Sequence, residues 1–140
     1  MPGLSDWQGE QVKKRIKAEI KRRLYACAVL VLNRARELIS IPGTTQATGL
    51  GKGKNQKVKK KRLYNTNPSA PGDPPHKQKG HLRRSVAKEV GDTEARVGTN
   101  LLYGRWLELG TPKMAARPWL RRALSEVLQQ IQAVFRKPMT

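Results

Sequence analysis

Apolar positions along the chain keep a helical rhythm near both ends and become sparse in the middle. Val12, Ile16, Ile20, Leu24, Ala28, Val31, Ala35 and Leu38 recur every three or four residues, and Lys13, Lys14, Lys17, Lys21 and Arg22 fill the opposite face. That spacing lays one apolar stripe along a helix. Ser5-Asp6-Trp7-Gln8 has the form of a capping box that would start it, and Pro42-Gly43 stops it. The predicted helix covers 6–40, or roughly 50 Å at about 1.5 Å per residue. This exceeds the diameter of a domain of this size, so the first half is expected to project or to lie on a neighbour. The apolar run from Leu24 to Leu32 is expected to be buried on several sides.

Toward the other end, Trp119, Leu120, Ala123, Leu124, Val127, Leu128, Ile131, Val134 and Phe135 mark one face of a second long helix. Arg117-Pro118 is expected to open it, with proline in the first turn, and Pro138 to close it. Leu101 to Leu109 predicts a short helix ended by Gly110. Val86, Val90, Ala95 and Val97 alternate with polar residues around Gly91-Asp92, which predicts a β-hairpin with one buried face. His81 to Val86 is compatible with a short helix. The expected fold class is α+β: a long N-terminal helix and a C-terminal helix packed on a small antiparallel β-sheet, with a long basic loop. One domain, 1–140, would comprise the helix 6–40, an extended Gly/Pro-rich arm 43–80, and the hairpin, short helix and C-terminal helix within 81–137.

The arm changes that picture most. Glycines 43, 49, 51, 53 and 72 and prolines 68, 71, 74 and 75 interrupt any regular element, although Arg62-Leu63-Tyr64 allows a short strand. No acidic residue occurs between Glu37 and Asp73, yet Lys52, Lys54, Lys57, Lys59, Lys60, Lys61 and Arg62 crowd together. One reading is an arm that contacts phosphates and orders on binding. The other is a solvated linker whose charge aids solubility. Mutual repulsion among so many neighbouring cations, unless an anion is present, favours the first.

Charge over the whole chain points the same way. A net charge of +19 on 140 residues calls for a polyanion or an acidic protein surface nearby. The opening residues MPGLSDWQGEQ hold no apolar run, and Leu24–Leu32 is about half a membrane span. Neither secretion nor membrane insertion is therefore expected. The single cysteine, Cys27, leaves no intramolecular disulfide framework and fits a reducing cytoplasm.

Candidate chemistry is sparse. His76 and His81 flank a basic loop without the spacing of metal ligands. Gly49-Leu50-Gly51-Lys52-Gly53-Lys54 lacks the spacing of a nucleotide phosphate loop and no apolar strand feeds it. The ten acidic residues include no pair placed for acid–base work. Cys27 falls in the apolar part of a helix, where burial makes a thiol inert. No catalysis, cofactor or metal is expected.

The most informative stretch is YGRWLELGTPKMAARPWLRRAL, from Tyr103 to Leu124. An aromatic core patch explains Tyr103, Trp106, Leu107, Leu109 and Trp119, but not the compact Gly110-Thr111-Pro112-Lys113-Met114 turn leading into Arg117-Pro118. Together with Glu108, these residues are similar to a pattern of Tyr, Glu-Phe-Gly-Thr, a Lys-Met turn and Ala-Arg-Pro-Phe-Leu. Leu109 and Trp119 stand where that pattern has phenylalanine. Upstream, APGDPPHKQKGHLRRSV, from Ala70 to Val86, resembles an Ala-Pro-x-x-Thr-Gly-x-Leu-Arg-x-Ser segment, with Lys79 where threonine is frequent. Both belong to the gene-product-ten type of head–tail joining, or tail-completion, proteins of lambda-like long-tailed bacteriophages. The resemblance covers roughly Ala70 to the C-terminus, and the arm from Gly43 to Arg62 departs from the compact family pattern.

What the resemblance implies is a structural virion protein of the phage neck, made in the host cytoplasm. It would be one subunit of a ring, commonly a hexamer, between the portal and connector proteins (adaptor or stopper) and the tail terminator or tail tube. Packaged double-stranded DNA would fill the axial channel. Tyr103, Trp106, Glu108, Gly110, Thr111, Lys113, Met114, Arg117, Pro118 and Trp119 would build the fold and a ring interface, and the cations from Lys52 to Arg62 would face DNA or an acidic connector surface. The competing expectation is a free-standing, sequence-independent nucleic-acid-binding protein in which charge is the whole function.

Overall fold

The structure is a computed structural model that describes residues 4–43 and 68–139, with side chains from residue 8 onward. Its order is α1 (Leu4–Leu38), α2 (His81–Ser85), β1 (Val86–Val90), β2 (Ala95–Thr99), α3 (Leu102–Leu109) and α4 (Leu120–Arg136). The expected α+β arrangement of two long helices and a small antiparallel sheet is what the chain adopts. Helix α1 is the spine, packed against both α4 and the hairpin. It starts at Leu4, so Ser5 lies inside its first turn rather than ahead of it.

The core forms where these elements meet. Leu32, Ala35, Leu38 and Ile39 of the α1 end pack with Leu82, Val86, Trp119 and Ala123. Small Ala35 and Ala123, both fully buried, let the α1 and α4 backbones approach closely, and Trp119 fills the remaining volume at 1% exposure. The Leu24–Leu32 run is only partly enclosed: Cys27, Ala28, Val31 and Leu32 are buried, while Tyr25 and Ala26 face outward. A helix with contacts on two flanks leaves a third in water. Burial pushes the Cys27 thiol pKa up, away from the reactive thiolate.

In the hairpin, Val86 pairs with Thr99 and Val90 with Ala95, and the Gly91 amide closes the turn by donating to the Glu94 carbonyl at 2.8 Å. Strand alternation turns Val86, Lys88 and Val90 to one side. Lys88 does not break this pattern, because its ammonium lies over the Tyr25 ring, 4.7 Å from the centroid.

Helix α4 is held on α1 by charge as well as by packing. Arg23, only 7% exposed, donates to the carbonyls of Phe135 (3.2 Å) and Pro138 (3.0 Å) at the C-terminal end of α4. The Phe135 carbonyl, in the last turn, has no partner within the helix, Pro138 follows just beyond it, and a cation there also interacts favourably with the helix dipole. Glu19 steadies the guanidinium at 2.8 Å; Arg23, with Arg22 beside it, holds the Glu19 carboxyl below the usual carboxylate range against an opposing push from burial. Farther along, Arg34 of α1 pairs with Glu126 of α4, which also accepts from Arg122 at 3.1 Å. Arg34 is the main reason the Glu126 carboxyl titrates below its ordinary value.

Candidate functional site

Tyr103 to Leu120 forms one tied unit whose centre is the Glu108 carboxylate. Its Oε2 accepts from the backbone amides of Trp119 (2.8 Å) and Leu120 (2.9 Å), and its Oε1 from that of Arg121 (2.9 Å). The first amides of a helix lack internal acceptors, and a carboxylate satisfies both them and the positive end of the helix dipole. One side chain of α3 thus caps α4. Here the structure corrects the sequence reading. Pro118 does not occupy the first turn: α4 begins at Leu120, and the start is set by Glu108 rather than by proline.

The remaining motif residues shape the return from α3 to α4. Gly110 ends α3 with φ +78°, and a Cβ there would lie 2.9 Å from the Ala116 nitrogen, so the turn demands glycine. Thr111 and Met114 pair across the Pro112-Lys113 turn, with amide donations of 2.8 and 3.1 Å. Lys113 is exposed at its apex. The Arg117 amide donates to the Leu107 carbonyl at 2.7 Å. Trp119 donates its indole N–H to the Gly104 carbonyl at 3.2 Å. Gly104 is itself confined, since an added Cβ would meet Thr99 Cγ2 at 2.5 Å and Leu82 Cδ1 at 2.9 Å.

The second motif stretch touches the first. Pro71-Gly72 forms a tight turn, with Gly72 at φ +87° and the Asp73 amide donating to the Ala70 carbonyl at 3.1 Å. Gly72 then donates to the Ala116 carbonyl at 3.0 Å, and the Lys77 amide to Ile41 at the end of α1 at 2.8 Å. The 68–80 segment therefore straps the α3–α4 return to the α1 terminus.

Not every expected site residue joins this unit. Tyr103 and Trp106 are partly exposed, at 39% and 47%, rather than sealed in an aromatic core. Burial raises the Tyr103 pKa, while a hydrogen bond with the Leu82 backbone works the other way. Lys52, Lys54, Lys57, Lys59, Lys60, Lys61 and Arg62 lie outside the described residues, as do the Arg62–Tyr64 strand and the Gly49–Lys54 stretch. The sequence reading missed Arg23, Arg34, Glu126 and Gly104. Only Gly104 leaves a signal, as an isolated glycine within a helical pattern. Arg23 and Arg34 look like any cation on a basic helix.

Among the described residues, no group of histidine, cysteine or acidic side chains is arranged to hold a metal, and no helix is long and apolar enough to cross a membrane. In comparisons with known proteins, no family model, curated protein or solved structure matches the chain.

Proposed function

We propose that this chain is a structural subunit of a ring in the neck of a tailed bacteriophage, joining the head connector to the tail around the DNA channel. The observation that carries this reading is the free first half of α1. Residues 10–18 are exposed on every side, yet Val12 (53% exposed) and Ile16 (41%) continue the stripe that is buried farther along the helix. A rigid helix that projects from its own domain with an apolar stripe gains from a neighbouring subunit, and head-to-tail contacts of this kind close into rings. The motif unit is compatible with the same reading, because it ties the start of α4 to α3 and, through the 68–80 strap, to the end of α1. In such a ring the cations Lys52 to Arg62 would be repeated around the axis and contact phosphates without reading sequence.

Deleting the gene from its phage is expected to leave filled heads and finished tails unjoined, with the chain present in intact virions at the neck. Normal virion assembly without the protein overturns the proposal. The arm is tested separately by neutralising Lys57, Lys59, Lys60 and Lys61. Duplex DNA binding should then lose salt dependence, by about 0.9 in the log–log slope per lost phosphate contact. Tight binding by the isolated chain, without any neck phenotype, favours the free-standing nucleic-acid-binding alternative.

A further inference from the structure

A cleft of about 510 Å³ opens between the strap, α2 and the α3–α4 return. Its apolar lining includes Ile39, Leu107, Met114 and Trp106, while Lys77, Arg83 and Arg117 stand around it, and none of the described lining residues is acidic. Lys77 and Arg83 make no ion pair among the described residues. Arg117 is the telling member. Its Nε is buried without a hydrogen-bond partner among the described residues, and Nη1 reaches only the Met114 sulfur, at 3.9 Å. Thioether sulfur is a weak acceptor, and a guanidinium N–H left unsatisfied in a buried place is costly. Arg117 lines the cleft, and a carboxylate placed there would give its guanidinium the charged acceptor that the thioether does not.

We propose that this cleft docks an acidic segment of a partner protein, with a carboxylate on Arg117 and an apolar side chain on the floor. The chain's own arm is excluded by charge, because Lys52 to Arg62 carries seven cations and no acid. Single-stranded nucleic acid is the weaker fit. Base stacking needs successive aromatic faces, whereas much of the floor is aliphatic or thioether. The docking site goes beyond the ring reading and stands without it.

The test uses the full-length chain and a labelled peptide of about twelve residues in which Asp and Glu flank Leu and Phe. Its amide counterpart, with Asn and Gln for the acids, and labelled oligo-dT serve as comparisons, at about 0.15 M salt so that long-range attraction is screened. The acidic peptide should bind more tightly than either. Lys77→Glu/Arg83→Glu, at exposed positions, should weaken it by about tenfold or more, equivalent to about 1.4 kcal/mol. Lys13→Glu/Lys17→Glu, with the same change in net charge on α1, should leave it unchanged. Peptide binding should shift the Trp106 indole NMR signal and not that of buried Trp119. Equal weakening by both variants, no difference between the acidic and amide peptides, or tighter binding of oligo-dT at the same residues overturns the proposal.

Discussion

In the second half of α1, Ala28, Val31, Ala35 and Leu38 are buried, and Arg23 and Arg34 are spent on α4. In the first half, Val12 and Ile16 sit at the same helical spacing and face water, with Lys13, Lys14 and Lys17 around them. Periodicity is common to both. What differs is whether another element packs beside the helix among the described residues, and α4 ends at the level of Arg23, which binds the Phe135 and Pro138 carbonyls. Amphipathic spacing specifies a helix and a face, but the partner of that face is decided by the length of what packs beside it.

Selective loosening of the packed half separates the two regions. Trp119→Ala should cost most, about 3–5 kcal/mol, because it empties the centre of the core and releases the Gly104 carbonyl; chemical denaturation reads this directly. Glu108→Ala should cost about 2 kcal/mol, since three helix-start amides lose a charged acceptor. Its signature is loss of amide-exchange protection at Trp119 to Arg121 before the rest of α4.

A smaller effect is expected from Glu126→Gln. The native carboxyl titrates below its ordinary value of 4.5, chiefly through Arg34. Its contribution is therefore complete above the unfolded value and is lost as the pH falls below about 4.5 through the lowered native value. Denaturation midpoints of the wild type should fall more steeply over that acid range than those of the variant. Parallel curves would remove Glu126 from the α1–α4 contact. Both partners are largely solvated, so the difference is expected to be modest.

Much of this was legible in the sequence, and the gaps have physical causes. The helices and hairpin followed from apolar spacing, and Gly110 from the need to stop α3. The motif stretch stood out in the sequence, but Glu108 appeared there only as a family-like letter. Its role as a cap for α4 depends on a fold-back that brings residues eleven to thirteen positions apart together, and no local pattern encodes that. Arg23 was invisible for a related reason. Its Phe135 and Pro138 acceptors are more than a hundred residues away, and nothing local separates it from its neighbour Arg22. The cleft arises from three separated segments, so its charge complementarity emerges only when they are assembled.

Whether the exposed half of α1 meets a neighbouring copy is decided by the state of assembly in solution. Under the proposed ring reading, sedimentation of the full-length chain, alone and with phage head-connector and tail proteins, should show a closed oligomer. Val12→Ser/Ile16→Ser should sediment as a folded monomer in the same mixtures, with stability within about 0.5 kcal/mol of wild type because both sites are exposed. A wild-type chain that stays monomeric in every mixture, or a variant that assembles as well as the wild type, would contradict the account.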